Sequence, residues 1–127
     1  MSVGELLDKI TILKIKAREL SVESQLANVE RELAALEAVR ARALGCTPHL
    51  EPLVEALAEV NATLWRIEDA LREHESRGDF SAAFVELARS VYLRNDERAA
   101  IKREINELSG SLFVEEKSYS RGEGSST

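Results

Sequence analysis

A single cysteine, Cys46, rules out any disulfide within this 127-residue chain. No neighbouring residue pattern marks it as reactive, so a spectator thiol is expected. The two histidines, His49 and His74, have no partner at a ligand spacing, and no zinc site is expected. Two prolines and six glycines are too few to cut the chain into many short elements. No apolar run approaches the ~18 residues of a membrane span. The start, MSVGELLDKI, has no basic segment followed by an apolar one, so no secretory signal is expected. Positive charge is also scarce: 17 Lys and Arg against 23 Asp and Glu give a net charge of −6. That balance argues against a non-specific nucleic-acid binder and gives no attraction to an anionic membrane surface. There is no Gly-rich phosphate loop, no internal repeat and no serine or cysteine nucleophile signature. The expectation is a cytoplasmic protein with no cofactor and no nucleic-acid or membrane partner.

Hydrophobic residues make up 44% of the chain, charged residues 31% and aromatics only 5%. Ala, Leu, Glu and Arg in excess are the composition of long amphipathic helices, and the length suits one domain with a core of its own. Ser2 and Glu5 form a capping box opening a first helix, about Val3 to Glu19. That helix is apolar on more than one side: Val3, Leu6, Leu7, Ile10, Leu13, Ala17 and Leu20 cover one arc, and Ile12 and Ile15 lie beside Asp8 on another. A helix of this kind is interior or sits at two interfaces. Lys14, inside the main arc, reads most simply as a snorkelling lysine.

Ser21 or Ser24 is expected to cap a second helix running to Leu44, where Gly45 ends it. After the Cys46–His49 loop, a third helix begins near Leu50–Pro52 and ends before Gly78. Its seam is Leu53, Leu57, Val60, Leu64, Ile67 and Leu71, and a second row holds Val54, Ala58, Asn61, Trp65 and Glu68. A Ser81 cap flanked by Phe80 and Val85 opens a fourth helix, expected to stop at Ser109–Gly110. The fold class is therefore all-α: an antiparallel four-helix bundle built as two helical hairpins. Residues 1–117 form the domain, and 118–127 a disordered polar tail. The two-sided first helix and long seams leave more apolar surface than one small bundle hides, so a homo-oligomer, or a helical protein partner, is expected.

The fourth helix carries the most unusual pattern. Phe84, Leu87, Val91, Arg94, Arg98, Ile101, Ile105 and Leu108 form one stripe at spacings of three and four. Its two middle members are arginines. With helices running up, down, up, down, Lys14, Glu32, Asn61, Trp65, Glu68, Arg94, Asn95 and Arg98 fall within about two turns of one height. Buried arginines need partners, because desolvation costs several kcal/mol per ion. One account is an internal ionic layer, with Glu68, Glu32 or Asp96 as the acid. Another is a pocket for a small carboxylate or phosphate, which suits the guanidinium fork. A third sets the arginines against a second subunit or at the surface. The candidate ligand-binding set is Lys14, Asn61, Trp65, Glu68, Arg94, Asn95, Arg98 and Lys102; no catalytic residue is assigned. Metal is a weaker reading: Glu5 with Asp8, and Glu104 with Glu107, each set two carboxylates on one helix face, as in magnesium-dependent helical nucleotide pyrophosphohydrolases.

The blocks SVGELLDKITILKIK, LANVERELAAL, VNATLWRIED, FVELARSVYLRNDERAAIKREIN and VEEKSY resemble an uncharacterised bacterial family of small α-helical proteins, a domain of unknown function. The likeness runs in order to Tyr119, and LLDKITIL, RND and KREIN are its specific parts. It implies that Glu5, Asp8, Lys9, Asn61, Trp65, Glu68, Asn95, Asp96, Arg98, Lys102 and Asn106 occupy family motif positions, and it implies no activity. Helical chorismate mutases, which hold a dicarboxylate among arginines, match only in residue types. The leading functional expectation is a non-catalytic helical interaction module. Its rival is a small enzyme or sensor that binds an anionic metabolite.

Overall fold

The computed structural model describes the backbone of residues 1–121 and the side chains of residues 1–110. Four helices account for it: α1 (Val3–Glu19), α2 (Glu23–Leu44), α3 (Glu51–Arg77) and α4 (Ala82–Arg121), with a 3-10 turn at Pro48–Leu50 before α3. No strand occurs among the described residues. The protein is an all-α bundle of two antiparallel hairpins, α1/α2 and α3/α4.

Most of the helix ends follow from local chemistry. The Ser2 hydroxyl accepts from the Glu5 amide at 3.1 Å, satisfying one of the free N–H groups of the first turn. Gly78 (φ 66°, ψ 27°) takes the left-handed helical backbone that ends α3, and Gly45 (φ 60°, ψ −133°) ends α2 in another positive-φ conformation open to glycine. Pro52 sits in the first turn of α3, where its missing N–H costs nothing. Two expectations are corrected. Val22, not a serine, precedes α2, and no side chain caps that end. Gly110 does not stop α4, whose backbone stays helical to Arg121. A lone glycine inside a helix costs only about 1 kcal/mol and keeps its N–H, so strong helix formers on both sides carry the helix through it. The polar tail expected from Ser118 reaches into residues 122–127, which lie outside the described residues.

α1 is the central element. It packs against α2 on one side and against the α3/α4 hairpin on the other. Leu6, Leu7 and Ile10 of α1 form a buried cluster with Leu50, Leu57 and Ile105, and Leu33, Leu36, Leu44, Leu53, Val54 and Ile101 close around it. The two-sided apolar pattern of α1 has this cause: Leu13 and Ile15 are both buried, although they lie on different arcs. α2 is more peripheral, with Val29 as its one buried residue. At the far end of the α3/α4 hairpin Phe80 packs edge-on against Phe84, ring centroids 5.2 Å apart, while Val85 is exposed. The stripe on α4 faces inward from Phe84 to Ile105, but Leu108 is exposed.

Candidate functional site

Where α1 passes between α3 and α4, a carboxylate stands in the core. Asp8 is 1% exposed, flanked in sequence by the fully buried Leu7 and the surface residue Lys9. Such an ion is tolerated only if its oxygens are hydrogen-bonded, and both are. Its Oδ1 accepts from Asn61 Nδ2 of α3 and from Arg98 Nε of α4, both at 2.9 Å. Its Oδ2 accepts from Arg98 Nη2, completing a bidentate guanidinium–carboxylate pair. Lys102, one turn further along α4, places its ammonium 3.6 Å from Oδ2 and 2.9 Å from Glu5 Oε1. Two cations thus face two carboxylates on one side of α1.

Neutral groups complete the layer. Thr11 lies one turn after Asp8; its hydroxyl donates to the Asp8 carbonyl at 2.8 Å and accepts from Asn61 Nδ2 at 2.9 Å. Both amide hydrogens of Asn61 are therefore used. Asn95 Oδ1 accepts from Arg98 Nη1 at 3.4 Å. Nearer the N-terminal end of α1, the Gly4 amide donates to Asn106 Oδ1 at 2.7 Å. This occurs at a close approach of two helices: a Cβ on Gly4 would lie 2.7 Å from the Lys102 carbonyl oxygen. Glycine here lets α1 sit low enough on α4 for Asp8 to meet Arg98.

The electrostatics follow from this geometry. Burial is the largest single influence on Asp8 and disfavours its charged form. Hydrogen bonds from Arg98 and Asn61, with the charges of Arg98 and Lys102, together outweigh it and hold the carboxyl below its usual range. The hydrogen bond to Asp8 raises the pKa of Arg98 against its own burial. The Lys102 hydrogen bond and charge lower Glu5. An unfolded aspartate titrates near pH 3.9. Between that value and the lower folded pKa the unfolded chain carries the extra proton, so acid favours unfolding. The Asp8 contribution is expected to be complete above about pH 5 and to fade as pH falls through the folded pKa. Chemical denaturation between pH 3 and 7 checks this: Asp8→Asn should flatten the acid limb, and an unchanged limb would contradict the assignment.

Asp8, Asn61, Arg98 and Lys102 meet, with Asn95 and Glu5 at the edge. Lys14 does not join them; it is exposed and lies 3.6 Å from Glu37 of α2. Arg94 pairs with Glu97 on its own helix. Trp65 is half-buried on α3, and Glu68 is exposed, acting on Arg98 only through its charge. None of Glu68, Glu32 and Asp96 is the counter-ion expected from the sequence; all three are exposed. α1 occupies the space beside Arg98 and supplies Asp8 instead. The proposed carboxylate pairs also part company. Glu5 and Asp8 face cations, whereas Glu104 and Glu107 are exposed, and no group of three metal-ligating side chains forms among the described residues. Thr11 is a member that the sequence reading did not single out. Its spacing of three from Asp8, beside an apolar arc, was the available signal.

A shallow groove of about 300 Å³ lies between α3 and α4, lined by Glu59, Thr63, Arg94 and Glu97 among others. Two acids against one base make it unsuited to an anion.

Residues 1–126 match the model of a family of unknown function, DUF6165. The chain belongs to this family. The match takes in α1 to α4 and every residue of the Asp8 layer. No curated protein matches the chain, and no solved structure does. For this DUF6165 member the geometry is thus the source of any functional reading.

Proposed function

We propose that this DUF6165 chain is a non-catalytic interaction module, a helical scaffold that binds another protein surface through its exposed helix faces. One observation carries the reading: the Arg98 guanidinium is held by Asp8 in a bidentate pair, with Lys102 and Asn61 on the same carboxylate. The fork that would recognise an external carboxylate or phosphate is already occupied by a fixed internal one. The layer serves to set the register of α1 between α3 and α4, a role buried ionic groups fill in some bundles. The reading extends to a bacterial, cytoplasmic homo-oligomer that pairs in coiled-coil fashion. Its acidic net charge and the absence, among the described residues, of a helix able to cross a membrane support partners other than nucleic acid or lipid.

The alternative is a small enzyme or sensor for an anionic metabolite. It draws support from the partial exposure of Arg98 and Lys102, whose side chains are 29% and 22% accessible. The magnesium-dependent pyrophosphohydrolase-like version needs Glu5 and Asp8 to leave their cations.

A thermal-shift screen of carboxylates, phosphates, nucleotides and divalent ions separates these readings. No compound is expected to move the midpoint by more than about 1 °C. A saturable rise of about 5 °C or more, as a ligand far above its Kd produces, would overturn the reading if Arg98→Lys or Lys102→Gln removed it.

A further inference from the structure

α4 has two contrasting faces. Leu87, Val91, Arg98, Ile101 and Ile105 point into the bundle. On the opposite side, at helical spacing, lie Val85, Arg89, Tyr92, Leu93, Asp96 and Ala100. All six are exposed, Tyr92 at 76%, Leu93 at 60% and Val85 at 49%. Glu86, Arg89, Ser90, Tyr92 and Leu93 line an open depression there. A tyrosine and a leucine side by side at such exposure mark an interaction surface.

The order of charges on this face identifies its occupant. Arg89 lies about one turn before the Tyr92–Leu93 pair and Asp96 about one turn after it. Among the described residues Arg89 pairs only with Glu86 of its own helix, at 3.9 Å, with both side chains largely in solvent. We infer that a second copy of this chain docks here, α4 against α4 and antiparallel, about a two-fold axis between Tyr92 and Leu93. Residues equally distant from that axis then face each other. Tyr92 meets the partner's Leu93, Arg89 meets the partner's Asp96, and Val85 meets the partner's Ala100. The two-fold repeats each contact, so the surface is complementary to itself. Parallel pairing would set Arg89 against the partner's Arg89. Ala100, opposite Val85 at each end, leaves room for close helix approach in a contact ~22 Å long, at 1.5 Å per residue. This inference rests on the interaction-module reading and names its partner.

Sedimentation analysis of the full chain tests it, under reductant so that Cys46 contributes nothing. At about 100 μM chain, where a micromolar interface is saturated, a reversible dimer is expected. Arg89→Asp alone, or Asp96→Arg alone, should weaken it at least about tenfold by setting like charges face to face. Mixing the two single variants should restore it, since each altered charge then meets its opposite. Tyr92→Glu with Leu93→Glu should give a monomer whose far-UV circular dichroism matches the wild type. A wild-type monomer at that concentration overturns the second copy as partner, and leaves the module reading to the ligand screen. A dimer indifferent to Tyr92→Glu and Leu93→Glu overturns the surface. Single variants that weaken the dimer but do not rescue each other overturn the antiparallel register.

Discussion

Asp8→Ala is expected to lower the stability of the bundle by about 3–5 kcal/mol, as loss of one partner from a buried ion pair does. The substitution removes both acceptors of the Arg98 fork. It also frees one hydrogen of Asn61 and leaves Lys102 with Glu5 alone. Domains of this size are stable by only about 5–15 kcal/mol, so the variant should unfold at a much lower urea midpoint. The slope of its transition should be unchanged, because the surface exposed on unfolding is the same. Asp8→Asn keeps the shape and one acceptor and is expected to lose less. Asp8→Leu combined with Arg98→Leu should recover much of the loss, because an apolar pair of similar volume leaves no buried charge unpaired. Asp8→Ala costing under about 1 kcal/mol would place the pair among solvated surface bridges.

The second large effect lies one turn upstream. Gly4→Ala puts a methyl group 2.7 Å from the Lys102 carbonyl oxygen and 3.0 Å from Asn106 Oδ1. A carbonyl in the middle of α4 cannot rotate aside as a flexible side chain can, so α1 must lift away. Overpacking of this kind costs about 1–3 kcal/mol, and the better helix propensity of alanine returns at most about 1 kcal/mol. Lifting α1 also lengthens the Asp8–Arg98 contact, so the observed loss should lie in the upper part of that range. Gly110→Ala is the matched control. Its Cβ would meet no atom within 4 Å, and the position is helical, so that variant should be more stable by about 0.5–1 kcal/mol. Urea midpoints moving in opposite directions would support the close approach. Both glycines gaining stability would contradict it.

Much of this bundle was legible in the sequence. Four helical segments, their glycine stops at Gly45 and Gly78, and the interior position of α1 follow from spacing and capping chemistry. The belt was legible in kind but not in membership. Arg98 and Asn61 break apolar rows on their own helices, so helical periodicity marks them. Asp8 does not stand out in that way. It sits between the two arcs of α1, where an acid reads as surface until a neighbouring helix covers it. Counting heights along an up-down bundle puts Lys14 level with Arg98. Lys14 instead reaches α2, because α2 and the α3/α4 hairpin lie on different sides of α1. The close approach at Gly4 leaves no trace in hydrophobic patterning, since an early-helix glycine looks like a weak helix former and nothing more. Gly110 misled in the opposite direction: glycine marks helix ends by tolerating φ > 0, but it does not enforce them.

The central claim is that Asp8 and Arg98 act as one internal unit joining α1 to α4, not as two separately solvated groups. A double-mutant cycle with Asp8→Ala, Arg98→Ala and the double variant, read by urea denaturation at pH 7, measures this directly. Coupling of about 2–3 kcal/mol is predicted, within the range for residues in one buried network. Additive losses, with coupling below about 0.5 kcal/mol, would contradict it.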